Sequence, residues 1–113
     1  MVVALTVIVA ACGPASVGFT FDNRTDVPLC QYPSPQDAAG GRCLSELEPR
    51  DETGSGADCD ADANRPITVI VTVKEDGRQI YSRTASCGEW DDSGGKFVIE
   101  QDGEEFVVTD SLS

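Results

Sequence analysis

Apolar side chains recur at every second position in several stretches of this chain, which is the period of a half-buried β-strand. In the first stretch Val17, Phe19 and Phe21 alternate with small or polar residues. The turn-forming residues Asn23–Asp26 follow directly. The pattern therefore predicts a strand that ends in this turn and a return strand over 27–31.

Two further hairpins follow from the same reasoning. Ile67–Lys74 is almost continuously β-branched, which predicts a central strand that is partly buried on both faces. Its turn contains Gly77, which supplies the positive φ that a tight hairpin needs, and the chain returns over 79–85. Segments 96–101 and 105–109 form the last predicted hairpin, around an Asp-Gly turn.

Other segments lack the two-residue period. Tyr32–Gly41 contains two prolines and two adjacent glycines, so it is predicted to be a loop. Ala38, Ala39, Leu44 and Leu47 leave room for a short helical turn or a brief strand. Pro49–Asn64 is acidic and rich in Gly, Ser and Ala, which predicts an exposed loop. Ser93–Gly95 breaks the chain, and no stretch has a long helical period.

These elements predict an all-β fold, because short strands separated by regular turn signals are typical of sandwiches and barrels. We expect a small antiparallel β-sandwich or partly open barrel of about six to seven strands, cross-linked by disulfides. A single curled sheet is the alternative. The predicted core consists of apolar positions on the strands and one tryptophan: Phe19, Phe21, Leu29, Ile67, Val69, Val71, Ile80, Trp90, Phe97, Ile99, Phe106 and Val108.

Composition narrows the possible functions. The 113 residues suit one domain, and 20 acidic against 8 basic residues give a net charge of −12. Such a surface disfavours nucleic acid, whose phosphates need Lys and Arg, and it favours solubility. The chain has no histidine, so a Ser-His-Asp or Cys-His mechanism cannot be built from it. We therefore expect a non-enzyme with no catalytic residues and no cofactor.

The chain begins with an uncharged apolar segment, residues 1–11. It is too short to span a bilayer, which takes about 20 residues, and it ends in small residues as signal peptides do. No positively charged segment precedes it, which suggests that the true start lies upstream. A lipoprotein signal is favoured, and an ordinary secretory signal and a buried strand are the alternatives.

The tetrapeptide Val9–Cys12 resembles the lipobox of bacterial lipoproteins. The resemblance implies that a lipid is attached to the sulfur of Cys12 and that the preceding peptide is removed. Residues 1–11 would then be a signal peptide, 12–16 the lipidated cysteine and a short tether, and 17–113 a single β-domain. It also implies a location on the outer face of a membrane, with the lipid anchor as the contact to the bilayer.

The body of the chain resembles a group of small exported bacterial β-domains. The resemblance lies in Asn23 and Thr25 of the first hairpin, a cysteine before a Val/Ile strand, an Asp-Gly turn and a closing cysteine. It covers 17–109 and implies no activity.

The chain has five cysteines, and an odd number in an exported protein leaves one over. A lipidated Cys12 accounts for it. The remaining four allow three pairings, of which we favour Cys30–Cys43, which closes the Pro-rich loop, and Cys59–Cys87, which brackets the central hairpin. No Cys-x-x-Cys spacing favours zinc or redox chemistry.

The acidic segment contains a weak calcium candidate, Asp58, Asp60 and Asp62, because carboxylates at alternate positions resemble the start of an EF-hand loop. Ala63 and Val69 stand where that loop has Gly and a bidentate Glu, so a solvated loop is favoured. Similarly, Asn23-Arg24-Thr25 matches a glycosylation sequon but is better explained as a turn, and Trp90 is better explained by packing against a disulfide than by ligand stacking.

Taken together, these features favour a membrane-anchored extracytoplasmic lipoprotein whose β-domain has a non-catalytic structural or partner-binding role. The alternative is an accessory module of a membrane complex that binds a ligand, a cation or a basic peptide.

Overall fold

Two four-stranded β-sheets pack face to face in the computed structural model, which describes residues 14–43 and 45–112. The predicted sandwich is confirmed, and the two sheets do not close into a barrel. The described residues form eight strands rather than six to seven, together with two short helices. In chain order the elements are β1 (Ser16–Asn23), β2 (Leu29–Tyr32), α1 (Pro35–Ala39), β3 (Ser45–Leu47), β4 (Asp51–Asp58), β5 (Pro66–Val73), β6 (Gln79–Ser86), α2 (Cys87–Ser93), β7 (Lys96–Asp102) and β8 (Glu105–Asp110).

The strand order is β4-β1-β7-β8 in the first sheet and β3-β2-β5-β6 in the second. Neighbouring strands are antiparallel except β1 and β7, which run parallel with Thr20 opposite Lys96 and Asn23 opposite Ile99. The prediction of a purely antiparallel sandwich is therefore wrong for the pair β1 and β7. The two strands are far apart in the chain and start from the same end of the sandwich, so no local hairpin signal indicates their pairing.

The segment predicted as an exposed acidic loop contains a strand instead. β4 pairs with β1 along its whole length, from Ser16 opposite Asp58 to Asn23 opposite Asp51. Acidic residues, Gly and Ser are depleted in strands, which is why the composition indicated a loop. The backbone ladder to β1 overrides this preference, and Gly56 suits the close approach because a Cβ there would lie 2.9 Å from the Val17 carbonyl oxygen.

An aromatic cluster fills the space between the sheets. The rings of Phe21 and Phe97 stack with centroids 4.5 Å apart, and Trp90 meets Phe19 edge to face at 5.5 Å. All four side chains are buried. Nine of the twelve predicted core residues are buried, whereas three on the outer strands β6 and β8 are only half-buried: Ile80, Phe106 and Val108.

The central strand β5 is buried on both faces, as predicted. On its outer face Ile70 is covered by Tyr32 and the Cys30–Cys43 disulfide, with Ala38 of α1 packed against them. This second, smaller apolar cluster explains why the residues of β5 are apolar or β-branched rather than alternating with polar ones.

The helix α2 closes one end of the sandwich and was not predicted. Its first turn has a capping box, in which Ser86 accepts a hydrogen bond from the Glu89 N–H and the Glu89 carboxylate accepts one from the Ser86 N–H. The Ser-x-x-Glu spacing is the sequence signal that indicates such a start. The helix places the Trp90 indole N–H 3.1 Å from the Ile67 carbonyl oxygen of β5, so the first sheet's aromatic cluster is joined to the second sheet.

A buried hydrogen-bond network stabilises the C-terminal end of β1, at Asn23. The amide nitrogen of Asn23 donates to the carbonyl oxygens of Val27 and Leu47, each at 3.0 Å. Its amide oxygen accepts from the backbone N–H and the hydroxyl of Thr25. Asn23 and Thr25 are both almost fully buried, and the network satisfies their polar groups inside the apolar interior.

We expect Asn23→Ala to lower the free energy of unfolding by about 3 kcal/mol, because it removes the buried hydrogen bonds that its amide makes with the Leu47 carbonyl and the Thr25 N–H. Urea unfolding followed by tryptophan fluorescence measures this loss. Asn64→Ala is the matched control, since the Asn64 residue is exposed and its change should cost less than about 0.5 kcal/mol. An Asn23→Ala protein as stable as the control would contradict the structural role of the network.

Candidate functional site

The predicted lipidation site, Cys12, and the predicted signal peptide, 1–11, lie outside the described residues. The first strand of the sandwich begins four residues after Cys12, at Ser16. The N–H of Cys59 donates to the Ala15 carbonyl oxygen at 2.9 Å, and β1 starts at the next residue, Ser16. The start of the domain is therefore fixed beside Cys59, and we call this end of the sandwich the anchor end.

The four other cysteines are joined as Cys30–Cys43 and Cys59–Cys87, with Cα–Cα distances of 5.6 and 6.0 Å. This is the pairing that the sequence favours, and neither bond uses Cys12. Loops of 13 and 28 residues are closed by these bonds, and each stabilises the fold by about 3 kcal/mol through the loss of unfolded-state entropy.

The three aspartates of the calcium candidate are not brought together. The carboxylate of Asp58 accepts from the Asp60 N–H, that of Asp62 accepts from the Asn64 N–H, and that of Asp60 pairs with the Arg65 guanidinium. Within residues 14–43 and 45–112 no group of three or more His, Cys, Asp or Glu side chains could hold a metal ion. The carboxylates therefore shape a solvated turn between β4 and β5.

Two other candidates of the sequence are explained by the core. Asn23 is fully buried and uses both ends of its amide in the network at the end of β1, so the sequon is not accessible to a glycan in the folded protein. Trp90 is also fully buried, in the same cluster as Cys59 and Cys87, and cannot stack on an external ligand.

Sequence reasoning missed a polar cluster that joins the outer strands β6 and β8. The Tyr81 hydroxyl donates to the Asp110 carboxylate at 2.6 Å, and the Arg83 guanidinium donates to both oxygens of that carboxylate at 3.0 and 3.1 Å. The Asp110 side chain is only 4% exposed. No spacing rule indicates this cluster, because its members lie on strands of different sheets.

The cluster changes how its members ionise. Burial disfavours the Asp110 carboxylate, but hydrogen bonds from Tyr81, the Leu112 N–H and Arg83 outweigh it and hold the pKa of Asp110 below its usual value. Burial and the hydrogen bond to Asp110 together raise the pKa of Tyr81 well above its usual value, against the opposing charge of Arg83. The arrangement keeps Asp110 charged and Tyr81 protonated, which stabilises the contact between the sheets.

A groove of about 360 Å³ lies at the end of the sandwich opposite the anchor end. The turn after β5 and the turn after β7 form its two sides. We call it the distal groove and define it by three apolar residues, Val27, Val73 and Phe106, and three acidic residues, Glu75, Asp76 and Glu104. The Arg78 guanidinium lies over the Phe106 ring, 5.8 Å from its centroid.

The fold and its covalent links define the class of this protein as a small all-β sandwich domain with two disulfide bonds. No model of a protein family, no curated protein and no solved structure matches the chain. The two helices contain five and seven residues, and no helix in the described part of the chain has the length and apolar character needed to cross a membrane.

We expect the two disulfides to differ in their reduction under native conditions. Cys43 is half-exposed, whereas Cys59 and Cys87 are fully buried, so a thiolate reductant reaches the second bond only after the core opens. In native buffer with dithiothreitol, alkylation followed by mass mapping should label Cys30 and Cys43 about tenfold faster than Cys59 and Cys87. In urea the two rates should converge, and equal rates in native buffer would contradict the burial argument.

We also expect the free energy of unfolding to fall as the pH rises above about 10. The pKa of Tyr81 is raised in the folded state, so its contribution is complete below the unfolded value near 10 and is lost as the pH rises through the folded value. Tyr81→Phe should cost about 1.5 kcal/mol at pH 7 and reduce this alkaline loss.

Urea unfolding between pH 7 and pH 11 measures both effects. Tyr32→Phe is the matched control, because Tyr32 lies in the outer cluster away from Asp110. If the two variants had the same pH profile, the Tyr81–Asp110 bond would not contribute to stability.

Proposed function

We propose that this protein is a membrane-anchored extracytoplasmic lipoprotein and that its β-sandwich has a non-catalytic, partner-binding role. The observation that carries the proposal is the tetrapeptide Val9–Cys12, together with a pairing of the other four cysteines that leaves Cys12 for the lipid. The disulfides suit an oxidising compartment outside the cytoplasm.

The short distance between Cys12 and the first strand is compatible with the same proposal. Ala15, whose carbonyl oxygen accepts from the Cys59 N–H, is the third residue after Cys12, and a step of three residues reaches at most about 10 Å when extended. A lipid on Cys12 would therefore hold the anchor end close to the bilayer surface. The net charge of −12 repels anionic headgroups, so the lipid rather than the protein surface would provide the attachment.

The charge and composition support a binding or structural role over catalysis. The chain has no histidine. Asp110, whose pKa is lowered by its hydrogen bonds, is held by Tyr81 and Arg83 between two strands rather than in a cleft. The hydrogen bonds that lower the pKa of Asp110 are contacts that stabilise the fold, so the shift does not require a catalytic role.

The anchor is tested by metabolic labelling of the full chain, expressed in a bacterium, with an alkyne-bearing fatty acid. We expect the wild-type protein and the control Ser16→Ala to be labelled and Cys12→Ser to lose the label completely. Ser16 is exposed and lies at the first position of β1, outside the tetrapeptide. Labelling that persists in Cys12→Ser, or a wild-type chain without label, would overturn the proposal.

A further inference from the structure

The surface opposite the anchor end has a composition that fits one kind of partner. We propose that the distal groove binds a segment of a partner protein that combines Lys or Arg side chains with an apolar side chain. This deepens the partner-binding role, and only the placement of the groove away from the membrane rests on the proposed lipid anchor.

The groove lies far from the membrane if Cys12 carries a lipid. β1 and β5 both start at the anchor end, where Cys59 contacts Ala15 and is bonded to Cys87, and Cys87 donates to the Arg65 carbonyl just before β5. Strands of eight residues run about 26 Å from that end. The turns that form the groove therefore point away from the lipid anchor, where a partner has free access.

The floor of the groove offers apolar contact. The half-buried side chains of Val27 and Phe106 line it together with Val73, which is 6% exposed. Two more depressions border the same turn after β5: one of about 350 Å³ beside the Cys30–Cys43 disulfide, and one of about 290 Å³ between Ile80 and Phe106. An apolar side chain of a partner would be partly removed from water at this floor.

The charges of the groove select a basic partner. Glu75, Asp76 and Glu104 line it, and none of them forms an ion pair with another described residue. The one cation in the lining, Arg78, lies over Phe106, which indicates that a cation is accepted on the face of this ring. A second copy of this chain fits poorly, because two molecules of net charge −12 repel each other.

The test is an NMR titration of the full ¹⁵N-labelled chain in non-ionic detergent with the synthetic peptide Lys-Lys-Leu-Lys-Lys at low ionic strength. We expect amide shifts that cluster on the two hairpin turns and weaken as salt is added. The peptide Lys-Lys-Gly-Lys-Lys should bind about fivefold more weakly, because the apolar contact is missing.

Two double variants that each remove two negative charges distinguish binding at the groove from general attraction to an acidic protein. Glu75→Gln with Glu104→Gln should weaken binding about fivefold, whereas Asp91→Asn with Asp92→Asn, on the exposed face of α2 at the other end, should change it less than about twofold. Arg78→Gln should tighten binding, because it removes the competing cation from the ring.

Equal weakening by both double variants, or shifts spread evenly over both ends, would overturn the proposal in favour of non-specific attraction. Concentration-dependent dimerisation that Glu75→Gln with Glu104→Gln abolishes would instead assign the groove to a second copy and also overturn it. The titration measures binding at the groove, whereas fatty-acid labelling measures lipidation of Cys12. The binding proposal and the lipid-anchor proposal can therefore fail independently.

Discussion

The packing of aromatic rings across the parallel pair β1 and β7 supports the rest of this structure. Phe19 and Phe21 of β1 meet Phe97 of β7, and Trp90 packs on both strands from α2. Because β1 is also the partner of β4, an acidic strand with weak intrinsic preference for its conformation, the aromatic cluster stabilises that edge indirectly. The first sheet is therefore assembled around contacts between residues that are far apart in the chain.

Hydrogen bonds then join this sheet to the second one. The Trp90 indole donates to the Ile67 carbonyl, the Gln31 amide donates to the Ser55 hydroxyl at 2.6 Å, and the Tyr81–Asp110 hydrogen bond connects the strands at the outer edge. A domain of this size buries a limited apolar core, so such links contribute a large share of a small net stability. They are distributed along the sandwich, which keeps the two sheets in one relative position.

Local pattern predicted three hairpins, of which the structure contains two. The first prediction was wrong, because β1 and the return strand β2 lie in different sheets and pair with other strands. The β5–β6 and β7–β8 hairpins have β-branched alternation and a glycine of positive φ in the turn, namely Gly77 and Gly103. Local pattern could not predict β4, whose pairing depends on β1 rather than on its own residues, nor the parallel contact of β1 with β7. The Tyr81–Asp110 cluster and the distal groove were missed for the same reason, because each joins side chains that only the tertiary fold brings together.

The two ends of the sandwich differ in a way that bears on function. At the anchor end the described chain is closed by the Cys59–Cys87 bond, by α2 and by the turn whose aspartates bond to their own backbone. At the distal end the Asp76 carboxylate likewise accepts from a backbone N–H of its own turn, that of Arg78. Glu75, Asp76 and Glu104 form no ion pair with another described residue. Like charges that lie beside partly exposed apolar side chains repel one another within the domain, and a basic partner with an apolar side chain would offset this repulsion and cover the apolar surface.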